Sequence, residues 1–79
     1  MEELRQLLVR RIAVIADKEL RMHDPELQLA QLREVSEAIM RWHELHRRNL
    51  SPRLDHYLTN ASFDKALAFI DNPALPHHP

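Results

Sequence analysis

Between Leu27 and His46 the chain places Leu32, Val35, Ile39, Trp42 and Leu45 at spacings of three, four, three and three residues. Such spacing returns to the same side of an α-helix once per turn, so this stretch reads as a long amphipathic helix. Leu27 and Ala38 extend the apolar stripe. Arg33, Glu34, Glu37, Arg41, Glu44, Arg47 and Arg48 form the solvated side. Glu37 with Arg41 and Glu44 with Arg48 are acid-to-base pairs four residues apart, in the favourable orientation. The start is marked by Asp24 as a cap, Pro25 at the first helical position and Glu26 at the positive end of the helix dipole. Arg47 and Arg48 suit the negative end, and Asn49 can take the left-handed conformation that closes a helix.

The remaining segments are short and read as packing against this helix. Residues 2–22 form a first helix with Leu4, Leu8, Ile12, Ile15 and Met22 along one face. Val9, Ala13, Ala16 and Leu20 widen that face on one side, and Leu7 and Val14 lie beyond its other edge. Only Gln6, Arg10, Asp17 and Arg21 make a clearly polar strip. A helix apolar over more than half its circumference needs cover on more than one side. The expectation is a homodimer seam through Leu4, Leu7, Val9, Ala13, Val14 and Leu20, with another helical protein as the alternative partner. Arg11, close to this face, is expected to pair with an acid such as Glu19 across the interface.

His23-Asp24-Pro25 is a tight connection, because the residue before proline avoids helical angles. It makes the first two helices an antiparallel hairpin. Ser51-Pro52 repeats the same cap-and-proline start. Leu54, Tyr57 and Leu58 then face inward, followed by Phe63, Ala66, Leu67 and Ile70 after a candidate cap at Ser62. Residues 52–71 are either two short helices or one kinked helix. Phe69 points away from the Phe63–Ile70 face, so it is either a boundary residue or part of a contact surface. The fold class is therefore all-α: a small helical bundle, built as an antiparallel hairpin plus one or two short C-terminal helices. A single domain is expected over 1–71. The Pro-rich stretch 72–79 is expected to be an extended or disordered tail.

Composition narrows the function classes. The chain has 79 residues and no glycine. That disfavours phosphate-cradling loops and tight hairpins, which use glycine's positive φ. Asn49, Asn60 and Asn72 stand where C-terminal glycine caps would be. Cysteine is absent, which removes disulfides and thiolate metal sites. No apolar run is long enough to span a bilayer and no secretory signal is visible, so a cytoplasmic location with no membrane partner is expected.

Three chemistries bear on these residues. His43 and His46 share a helix face, and His56 comes near if the chain folds back; three imidazoles can hold zinc. There is no HExxH, no Glu-x-x-His pair and no cysteine, and the residues lie on the apolar margin beside Trp42, where packing and the C-terminal dipole account for them, so neither a metal site nor a cofactor is expected. Arg41, Arg47, Arg48 and Arg53 make the junction after the long helix locally basic, a candidate anion site for phosphate or nucleic acid. The interleaved Glu44 and Asp55 and the net charge of −1 weigh against nucleic acid. Ser36 sits on a polar face and Ser51 and Ser62 read as caps, so no catalytic residues are assigned and the chain is not read as an enzyme. The leading expectation is a non-catalytic interaction or assembly module, homodimeric through its first helix. A phosphate- or nucleic-acid-binding protein using the basic junction is the alternative.

Overall fold

The computed structural model describes residues 2–71, and every element in them is helical. The order is α1 (Glu2–Ala16), α2 (Lys18–His23), α3 (Pro25–His46), a single 3-10 turn (Arg47–Asn49), α4 (Pro52–Thr59) and α5 (Phe63–Asp71). The all-α bundle is as expected, and residues 52–71 form two helices. The stretch 72–79, read above as a tail, lies outside the described residues. Among the described residues no helix is long and apolar enough to cross a membrane.

The core gathers Leu4 and Leu8 of α1, Val35, Ile39 and Trp42 of α3, Leu54, Tyr57 and Leu58 of α4, and Ala66 of α5. Leu4, Leu54 and Ala66 are completely buried. Leu7, Leu50, Phe63, Leu67, Phe69 and Ile70 pack around this cluster. Phe69 is thus a boundary residue, meeting the Tyr57 ring edge-on at 6.3 Å. Two contacts show that α1 and α3 run antiparallel: Arg10 reaches Glu34 at 3.9 Å, and the Gln28 side chain donates to the Val14 carbonyl at 3.1 Å. Helix α5 also runs antiparallel to α1. Phe63 at its start lies under Arg11, and Asp71 at its end accepts from Arg5.

The expected first helix is interrupted. Asp17 leaves helical geometry (φ −76°, ψ 91°), and its carboxylate accepts from the Leu20 N–H at 3.0 Å. It therefore starts a second helix instead of lying on a polar strip of the first. Asp24 then serves both neighbours. Its N–H donates to the Leu20 carbonyl at 2.8 Å, and its carboxylate accepts from the Leu27 N–H at 3.0 Å. Pro25 and Pro52 take the first-turn positions, and Ser51 Oγ accepts from the Leu54 N–H, as the sequence predicts.

Other expectations need correction. Leu45 is 79% exposed, because the apolar stripe of α3 ends at Trp42, short of the 3-10 turn. Ile12, Ile15 and Met22 are also exposed, since α5 covers α1 only as far as Arg11. Neither Glu37–Arg41 nor Glu44–Arg48 closes as an ion pair among the described residues; exposed pairs of this kind gain too little to hold two long side chains in place. Asn60 is the C-cap of α4, but among the described residues the left-handed conformation is taken by Ala61 (φ 55°), not by Asn49 or Asn60; Asn72 lies outside them. Around Ala61 the Ser62 N–H donates to the Tyr57 carbonyl at 2.8 Å and the Ala61 N–H to the Leu58 carbonyl at 3.1 Å. This is the Schellman pattern, in which glycine is the usual occupant.

Two stability outcomes follow. Ile39→Ala is expected to cost about 3 kcal/mol in denaturant unfolding, whereas Leu45→Ala stays within about 0.5 kcal/mol. Ala61→Gly is expected to stabilise by about 0.5 to 1 kcal/mol, because it relieves the left-handed penalty by more than it adds unfolded-state entropy. Thermal or urea melts of the three variants check both.

Candidate functional site

Packing divides the six residues expected at the seam. Leu4 is buried in the core, and Val14 is 8% exposed, enclosed by the chain's own helices. Both are occupied within the chain and cannot line an outer surface. Leu7 and Leu20 are half-buried, whereas Val9 and Ala13 are exposed. The outward strip of α1 is therefore Val9, Ala13 and Ala16 at i, i+4 and i+7, with Ile12 beside them, all exposed. Val9 and Ile12 expose 41% and 39% of their surface. Sequence alone placed Ile12 on the inward face, because it did not show how short the covering helix is.

Arg11 packs on a residue of its own chain, Phe63. Its guanidinium carbon lies 4.7 Å from the centre of the Phe63 ring, and its Nε is buried without a hydrogen-bond partner. Attraction of the cation to the ring face offsets part of that loss. Arg11, Ala61, Ser62, Phe63, Asp64 and Lys65 line an open concavity of about 350 Å³. It carries charges of both signs and so presents no single-sign field.

The histidines do not converge. His43 Nε2 donates to Asp55 Oδ1 at 2.6 Å, tying the end of α3 to the start of α4. His46 stacks on Trp42, with ring centres 4.2 Å apart, and its Nδ1 donates to the Trp42 carbonyl at 2.8 Å. His56 lies against Asn60, whose amide donates to the His56 carbonyl at 2.9 Å. No group of three metal-ligating side chains occurs among the described residues.

Arg41, Arg47, Arg48 and Arg53 are all exposed around the α3–α4 corner. Arg47 points its Nε at Asp55 Oδ1, 3.6 Å away, so part of that charge is met within the chain. Near the start of α1, Arg5 Nε donates to Asp71 Oδ1 at 2.7 Å. This hydrogen bond, with the attraction of Asp71's charge, holds the Arg5 pKa above its ordinary value. A raised pKa on a base means that, on the alkaline side, the pair's contribution is lost only as pH rises into strong alkali. The polar groups with defined partners thus fasten helix ends together.

No family model, no curated protein and no solved structure matches this chain.

The His43–Asp55 bond is half-shielded from water, and a double-mutant cycle should reveal it. His43→Ala and Asp55→Ala are expected to couple by about 1 kcal/mol, with the charge-assisted bond discounted for partial exposure. Additive effects would mean that the corner is held by apolar packing alone.

Proposed function

We propose that this chain is a non-catalytic helical assembly module that docks another helical surface through the outer face of α1. The supporting observation is the strip Val9, Ile12, Ala13 and Ala16, still exposed after α3 and α5 have packed on the other sides of the helix. Burying such side chains is favourable by about 25 cal/mol for each Å² of apolar surface removed from water. The charged groups beside the core support the same reading, because His43, Asp55, Arg5 and Asp71 are engaged in joining helices. A cytoplasmic setting is part of the proposal.

The second reading is anion binding at the α3–α4 corner, for phosphate or nucleic acid. It is favoured by the exposure of Arg41, Arg47, Arg48 and Arg53 together. Phosphate contacts weaken steeply with salt, so binding to generic RNA or DNA at low salt, lost on adding salt, would support it.

For the leading reading, sedimentation velocity over micromolar concentrations is expected to show association that Val9→Glu abolishes while the helical circular dichroism is kept. A strict monomer throughout, with no helical partner recovered through α1, would remove this function.

A further inference from the structure

We draw no further inference here: the strongest candidate, the exposed apolar strip of Val9, Ile12, Ala13 and Ala16 on the outer face of α1, belongs to the face already given the docking role, and nothing in the structure shows what covers it.

Discussion

Burial of Leu4 and Leu8 against Val35, Ile39 and Trp42 is the contact on which the other helices depend. The α1–α3 pair builds one wall of the core, and Leu54, Tyr57, Leu58 and Ala66 close over it. A chain of this size buries only about 60% of its unfolded surface, so no second core is available to compensate for a defect in the first. Polar fastenings sit at the periphery of this packing. Arg5–Asp71 pins the far end of α5 to α1, and His43–Asp55 pins α4 to α3. Each acts at a helix end, where backbone ordering is weakest and a side-chain link restrains the most motion.

How the fold could be read from the residues depended on which signals were redundant. The start of α3 carried three concordant ones in Asp24, Pro25 and Glu26, and the start of α4 carried Ser51 and Pro52. Both were placed correctly. The break at Asp17 carried one signal, and that signal was ambiguous. An aspartate in a helical run is equally suited to a solvated face and to a cap, and only tertiary contact decides between them. Here the Val14 carbonyl, near the end of α1, receives the Asp17 N–H and the Gln28 side chain together. That arrangement involves a residue from the other arm of the hairpin and is invisible to periodicity.

The outer surface was harder to read than the core for a related reason. Periodicity assigns faces but not the lengths of the helices that cover them. Leu4 and Val9 look alike as apolar residues of one helix, yet one is buried and the other is 41% exposed, because α3 and α5 approach from particular sides. Leu45 shows the converse. Its spacing continues the stripe of α3, but the chain turns away at Arg47–Asn49 and nothing remains for it to pack on. The basic corner was legible as composition, whereas the engagement of Arg47 by Asp55 was not, since it depends on how tightly the chain turns after Asn49.

Asp24 closes one helix with its backbone and opens the next with its side chain, leaving no slack residue between them. Adding one residue to either neighbouring turn would rotate everything beyond it by about 100° and swing Val35, Ile39 and Trp42 out of the core. Homologues of this chain should therefore vary freely in side chains around the hairpin bend while keeping its length fixed. The bend acts as a ruler: it sets which side of the long helix the rest of the chain will see.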